Sequence, residues 1–82
     1  MLRVWDVLYV QEVIHMTIQA KESFKRLRTV KGFSITGLAK AMHVSSSVVY
    51  NMETGHNVRP ATAKKACKVL EEAFDTLFII RD

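Results

Sequence analysis

The sequence predicts an all-α domain built from consecutive short helices. Between about residues 18 and 78, apolar residues return every three or four positions, which is the spacing of one face of an α-helix. Three glycines and one proline are too few for the many tight turns of a β-sandwich or barrel. The 82 residues form at most one small domain, since a chain of this length buries only about 60% of its unfolded surface. A binding module, stabilised as a dimer, is therefore favoured over a stand-alone enzyme.

The first two helices are defined by their apolar faces. Spacings of four, three and three place four side chains on the inward face of the first helix: Ala20, Phe24, Leu27 and Val30. The basic residues between them are expected to face outward: Lys21, Lys25, Arg26 and Arg28. Gly32 then ends the helix in the left-handed conformation. Ser34 is expected to cap the second helix, whose inward face is Ile35, Leu38, Ala39 and Met42.

The remaining helices follow after short breaks. Ser45 is the N-cap candidate of the third helix, Gly55 closes it, and its inward residues are Val48, Val49 and Met52. Pro60 fits the first position of a fourth helix, where its missing N–H costs nothing. The inward face of that helix is Ala63, Ala66, Cys67, Val69 and Leu70. A fifth short helix, or a packed tail, contains Phe74, Leu77 and Phe78.

Both ends of the chain have a strand-like composition. Residues 4–14 are rich in Val, Tyr, Trp and Ile, and residues 77–80 are apolar. Because a single strand is not stable alone, these two segments are expected to pair with each other or across a dimer. The alternative is that residues 1–15 are a poorly ordered extension ahead of a true start at Met16. We therefore divide the chain into an N-terminal extension (1–17), a helical domain (18–78) and a C-terminal tail (79–82).

Positive charge is concentrated in the middle of the chain. Residues 21–68 contain ten Lys or Arg against two acids, a net +8, whereas residues 1–20 carry −1 and residues 69–82 carry −3. A basic centre between acidic ends indicates a polyanion-binding surface, and the alternative is an ordinary solvated basic surface.

Residues 34–55 have the pattern of two abutting helices joined by a tight turn. Ala39 is small at the point where two backbones approach closely, and the turn needs a residue that accepts a positive φ. Glu53, close to the end of the second of these helices, is expected to brace the fold. Apolar side chains attach the unit to the remaining helices: Leu38, Met42, Val44, Val49 and Met52.

These residues resemble the Cro/C1-type (XRE-family) helix-turn-helix domain of bacterial and phage repressors. The resemblance covers about residues 18–78 and depends on pieces found in order: Lys31-Gly32-Phe33-Ser34, Leu38-Ala39, Val44-Ser45, Met52-Glu53-Thr54-Gly55, and Pro60 with its helix. It implies a five-helix, lambda-repressor-like bundle whose third helix enters the DNA major groove.

Carried over position by position, the resemblance assigns DNA contacts to two sets of residues. The base-contacting set lies on the polar side of the third helix: Ser46, Ser47, Tyr50 and Asn51. The backbone-contacting set lies around it: Ser34, Thr36, Ser45, His56, Asn57 and Arg59. The implied function is a transcriptional regulator, a small phage- or mobile-element-type repressor that binds an operator in double-stranded DNA as a homodimer.

Three residues depart from the family pattern. Ile35 replaces the usual Gln, which removes one expected DNA contact. His43 replaces the usual Gly of the turn, at a cost on the order of 1 kcal/mol. Glu71 replaces a common Gly between the last two helices, so a single longer helix is an alternative there.

Other classes of function have less support. His15, His43 and His56 lack metal-ligand spacing and the single cysteine excludes a disulfide framework, so we expect no catalytic residue, cofactor or metal. The apolar run at residues 7–10 is far shorter than the ~20 residues of a membrane span, and a cytoplasmic protein is expected. Two alternatives stay open: an antitoxin whose ends bind a toxin, and a helix-turn-helix module that binds protein instead of DNA.

Overall fold

The computed structural model describes residues 16–81, which form five α-helices and two short β-strands. In chain order these elements are β1 (Thr17–Ala20), α1 (Glu22–Val30), α2 (Ile35–Met42), α3 (Ser46–Glu53), α4 (Pro60–Leu70), α5 (Phe74–Leu77) and β2 (Phe78–Arg81). The predicted five-helix bundle is therefore confirmed. The strand-like segment 4–14 lies outside the described residues. No helix within the described range combines the length and the apolar character needed to cross a bilayer.

A two-stranded antiparallel sheet joins the beginning and the end of the described chain. β1 pairs with β2 so that Thr17 lies opposite Arg81 and Ala20 lies opposite Phe78. The expectation of a strand near the C-terminus is confirmed by β2. The partner of β2 is β1, which covers residues where the first helix was expected to begin. The helix α1 starts only after Lys21, whose backbone is extended (φ −76°, ψ 164°). Ala20 accordingly packs against the core from the sheet and not from a helix.

Twelve apolar side chains form the buried core, and they come from α1 to α5, β2 and the segment before α4. They are Phe24, Leu38, Ala39, Met42, Val49, Met52, Val58, Ala63, Ala66, Leu70, Leu77 and Phe78. Nine of them were predicted to face inward, and Leu77 and Phe78 were expected in a fifth short helix or a packed tail. Val58 was not predicted to be part of the core. Its backbone explains its burial, because the Val58 N–H donates a hydrogen bond of 2.7 Å to the carbonyl of Ile18 in β1.

Two expectations for α1 are wrong. Val30 was placed on the inward face, but it is the last residue of the helix and is 71% exposed. Arg28 was placed outward, but it is only 7% exposed. It follows the fully buried Phe24 by four residues, so the two side chains lie on the same side of the helix.

Four residues that follow a helix have a left-handed backbone conformation: Gly32, His43, Gly55 and Glu71. Gly32 has φ 85°, as predicted. His43, at the end of α2, has φ 59° and ψ 43°. Glu71, at the end of α4, has φ 54° and ψ 45°. The left-handed residue at 71 breaks the chain direction, so α4 and α5 are two helices and the alternative of one longer helix is wrong.

Replacing Glu71 by Gly is expected to raise the free energy of unfolding by about 1 kcal/mol. A residue with a Cβ atom pays roughly 1–2 kcal/mol in the left-handed region, and the greater freedom of Gly in the unfolded chain offsets part of the gain. Urea unfolding followed by circular dichroism measures the change. Glu71→Ala is the matched control, because it removes the carboxylate but keeps the Cβ atom. Equal stability of the Gly and Ala variants would contradict the backbone explanation.

Candidate nucleic-acid interface

The two helices α2 and α3 pack against each other across a three-residue turn at residues 43–45. Ala39, at 2% exposure, leaves room for the close approach of the two helices. The left-handed His43 reverses the chain, and the Val44 N–H then donates to the carbonyl of Ala39 at 3.0 Å. Ser34 caps α2 as predicted, accepting a hydrogen bond of 2.9 Å from the Gly37 N–H. Residues 34–55 thus have the predicted helix-turn-helix geometry.

The third helix has a buried side and an exposed polar side. Val49 and Met52 are buried, and Val48 is partly buried against the same core. The four side chains assigned to base contacts are all exposed: Ser46, Ser47, Tyr50 and Asn51. Tyr50 is 58% exposed although it is a large aromatic residue. A tyrosine presented to solvent in this way is available for contact with a partner surface.

The residues assigned to phosphate contacts are also exposed and lie around α3. They are Ser34, Thr36, Ser45, His56, Asn57 and Arg59. Ser34 and Thr36 stand at the start of α2, where free backbone N–H groups favour an anion. Ser45 occupies the N-cap position of α3, but its side chain makes no capping hydrogen bond, so the predicted cap is present in the backbone alone.

The segment after α3, which we call the α3 loop (residues 54–59), is held in place by several hydrogen bonds. The His56 N–H donates to the carbonyl of Asn51 at 3.0 Å. The Thr54 hydroxyl donates to the carbonyl of Tyr50 at 3.0 Å and lies 3.2 Å from Nδ1 of His56. From β1, Nε2 of Gln19 donates to Oδ1 of Asn57 at 3.2 Å. The loop is therefore tied to both α3 and the sheet.

An open cleft of about 730 Å³ lies between α3 and the start of α4, and we call it the loop cleft. It brings together Asn51 from the base-contacting set with His56, Asn57 and Arg59 from the backbone-contacting set. The fifth polar residue of its lining is Thr62, in the first turn of α4. Members of the two predicted sets thus share one surface, with an arginine at its edge.

A buried ion pair fixes the far end of α3 and was missed in the sequence. Nε of Arg28 donates to Oε2 of Glu53 at 2.5 Å, and Nη2 donates to Oε1 at 3.0 Å. A third donor of the same guanidinium, Nη1, reaches the carbonyl of Phe33 at 2.7 Å. The two side chains are only 9% and 6% exposed. Glu53 therefore braces the fold, as expected, and its partner is a residue that had been placed on the surface.

Two features of the sequence could have located this pair. Arg28 follows Phe24 by one helical turn, so it belongs to the inward face and needs an acidic partner there. Residues 21–68 contain only two acids, Glu22 and Glu53, and Glu22 lies on the same helix as Arg28. Glu53 follows the buried Met52 directly, which makes it the remaining choice.

The described residues give little sign of other chemistry. Within residues 16–81, no three His, Cys, Asp or Glu side chains converge to hold a metal ion. Burial raises the pKa of the Cys67 thiol above its ordinary value, which keeps it protonated at neutral pH. Cys67 is partly buried and packs against the core, as a small apolar residue would.

Comparison with known proteins gave one finding. A family model described as helix-turn-helix, HTH_3, matches residues 24–77, which is more than half of the chain. The match begins at Phe24 in α1 and ends at Leu77, the last residue of α5, so it contains all of α2, α3, α4 and α5. No match was found among curated proteins or among solved structures.

Replacing Arg28 by Met is expected to lower the free energy of unfolding by about 3–5 kcal/mol, because Glu53 is left buried without a partner. The double variant Arg28→Met with Glu53→Met is expected to lose less, since it leaves no unpaired charge. Urea unfolding of the three proteins measures both effects. A single variant as stable as the starting protein would show that the pair does not hold α3 in place.

Proposed function

The chain belongs to the Cro/C1-type helix-turn-helix family of DNA-binding regulators, and we propose that it is a repressor that binds an operator as a homodimer. The resemblance to repressors of bacteria and phages favours a small phage- or mobile-element-type repressor. A protein that binds an operator acts on the chromosome, so we expect it in the cytoplasm.

One observation carries this proposal: α3 turns Ser46, Ser47, Tyr50 and Asn51 to solvent while its other side is buried and braced. Val49 and Met52 attach α3 to the core, and the ion pair of Glu53 with Arg28 fixes its end. A helix held in this way can enter a major groove without giving up packing in the domain. Its outward side chains are then free to contact base edges.

The chemistry of the outward side chains suits the major groove. The Asn51 amide can form a bidentate pair with adenine, donating to N7 and accepting from the exocyclic N6 amine. Such a pair is worth about 1–3 kcal/mol of discrimination against the wrong base. Ser46 and Ser47 stand at the start of α3, the part of a recognition helix that reaches deepest into the groove. Their hydroxyls donate or accept. Tyr50 can pack its ring on a thymine methyl group or donate to a phosphate.

Backbone contacts are expected from both sides of α3. The free N–H groups at the start of α2, near Ser34 and Thr36, form one phosphate site. Arg59, with His56 and Asn57 in the loop cleft, supplies the other. The net +8 of residues 21–68 adds an attraction to DNA that does not depend on sequence.

The outer edge of β2 is our candidate for the dimer contact. In β1, the Ile18 carbonyl accepts from the Val58 N–H and so points away from β2. Hydrogen-bonded and non-hydrogen-bonded pairs alternate in antiparallel sheets, and Ile80 lies opposite Ile18. The backbone groups of Ile80 therefore point outward, along an edge where β2 has no further strand within residues 16–81. The same residue is 49% exposed and Ile79 is 39% exposed.

Two copies of such an edge can pair antiparallel about a two-fold axis, which brings the exposed isoleucines of the two strands next to each other. A two-fold dimer would present two α3 helices to two half-sites about one helical turn apart. One domain of this size offers little surface for tight specific binding, so a dimer is physically expected.

The central test is a DNA-binding titration. We expect duplexes selected from a random library to bind with an affinity that falls steeply as salt rises, because phosphate contacts release counterions. Asn51→Ala is expected to lose about 1–3 kcal/mol of preference for the selected sequence, and Arg59→Ala is expected to weaken all duplexes alike. Fluorescence anisotropy at several salt concentrations measures both. A salt-independent affinity, or an unchanged sequence preference in Asn51→Ala, would contradict the proposal.

The dimer contact has its own test. Ile80→Pro removes the outward N–H of β2 without removing a bond to β1, and edge positions tolerate proline. We expect it to shift the protein toward monomer in sedimentation equilibrium and to weaken operator binding. Ile80→Val keeps the N–H and most of the side chain, so it should remain dimeric. Equal dimerisation by the two variants would place the dimer contact elsewhere.

A further inference from the structure

A second groove runs alongside α4, and we propose that it binds the phosphate backbone of the duplex beyond the half-site covered by α3. We call it the α4 groove. It has a volume of about 460 Å³ and is lined by Ala41, Met42, His43, Lys65, Lys68 and Val69. The inference rests on the proposed DNA-binding function and extends its footprint to residues that the helix-turn-helix pattern did not assign.

The α4 groove continues from the loop cleft. Val44 and Thr62 line the loop cleft, whereas His43 and Lys65 line the α4 groove. His43 precedes Val44 directly in the turn, and Lys65 lies three residues after Thr62 on α4. The two hollows are therefore neighbours across the turn between α2 and α3. A polyanion that leaves the loop cleft along α4 meets the lysines of the α4 groove next.

The charge of the α4 groove is not balanced by the described protein. The ion pairs within residues 16–81 are Arg28 with Glu53 and Lys31 with Glu72, so neither Lys65 nor Lys68 is in one of them. Both lysines are exposed. α4 contains three lysines and no acid among its 11 residues. This surface therefore carries a net positive charge that attracts a polyanion.

The turn brings a third nitrogen-bearing side chain to the same groove. His43 is exposed and stands in the left-handed conformation, so its imidazole adds a donor for a phosphate oxygen beside the two ammonium groups. The imidazole is not required by the turn, because Gly adopts this conformation more easily. Phosphate binding by the imidazole accounts for a histidine at position 43, where the backbone conformation alone favours glycine.

A phosphate backbone fits this arrangement better than an acidic peptide does. The donors of the loop cleft come from α3, the α3 loop and the start of α4, and those of the α4 groove come from the neighbouring turn and from α4. A nucleic-acid strand carries one charge per nucleotide and can therefore meet both sets in succession. The floor of the α4 groove is formed by Met42 and Val69, which offer no backbone edge for a peptide strand to pair with.

The neighbouring Lys64 provides a matched control. It is exposed, carries the same charge and lies on the same helix, but it lines a different hollow, between α4 and the sheet, with Ile18, Cys67 and Ile80. Replacing it removes one positive charge from the domain without touching the α4 groove.

The experiment uses the full chain and two duplexes selected for binding, a short one that ends at the outer edges of the two half-sites and one extended by about one helical turn beyond each edge. We expect the double variant Lys65→Ala with Lys68→Ala to bind the extended duplex more weakly. The slope of log affinity against log salt should become less steep by about 2 per protomer, one for each lost phosphate contact. On the short duplex its slope should match that of the starting protein, and Lys64→Ala should match on both. His43→Gly should raise stability and still weaken binding to the extended duplex.

The outcomes separate this inference from the proposed function. If the starting protein binds duplexes in the expected salt-dependent way but the double lysine variant loses equally on both lengths, the α4 groove makes no flanking contact. An equal loss with Lys64→Ala would mean that net charge alone is responsible. Retained DNA binding with loss of binding to polyglutamate would assign the groove to an acidic protein partner. Absence of any salt-dependent DNA binding would overturn both proposals.

Discussion

The position of α3 depends on one buried guanidinium. Arg28 extends from α1 to two oxygens of Glu53 at the end of α3 and to the carbonyl of Phe33 ahead of α2. Removal of two charges from water is unfavourable, so the arrangement persists only while every donor is matched in a narrow geometry. The turn at His43 fixes the first end of α3 and this pair fixes the second. The outward side of α3 is then free to vary without loss of the fold.

Periodicity was sufficient to predict the helices and nearly all of the core, because each inward face repeats within a single segment of sequence. It failed where the deciding contact is distant. β1 pairs with residues about 60 positions away, and Ala20 at its end continues the apolar spacing of α1, so the segment from residue 18 looked helical. Arg28 was misplaced for the same reason, since only the fold brings Glu53 to it. The break at Glu71 was hidden because a carboxylate gives no sign of a left-handed backbone.

The residues of the candidate site could be named from the sequence, but their neighbours in space could not. The resemblance named the outward residues of α3 and the residues around it, and the structure leaves all of them exposed. Four of them line the loop cleft: Asn51, His56, Asn57 and Arg59. Sequence could not indicate that Gln19 of β1 would hold Asn57, or that His43 would meet Lys65 across a groove. Those juxtapositions arise from the packing of separate elements, and no local pattern encodes them.

The pairing of β1 with β2 has a consequence for the connectivity of the domain. Thr17 and Arg81 are register partners, so the two ends of the described chain lie side by side. A short linker between them would close the backbone into a ring, and a new opening at the exposed Gly32, between α1 and α2, would give a circular permutant with the same contacts. For the same reason, two proteins fused to Thr17 and Arg81 would both be attached on the same side of the domain.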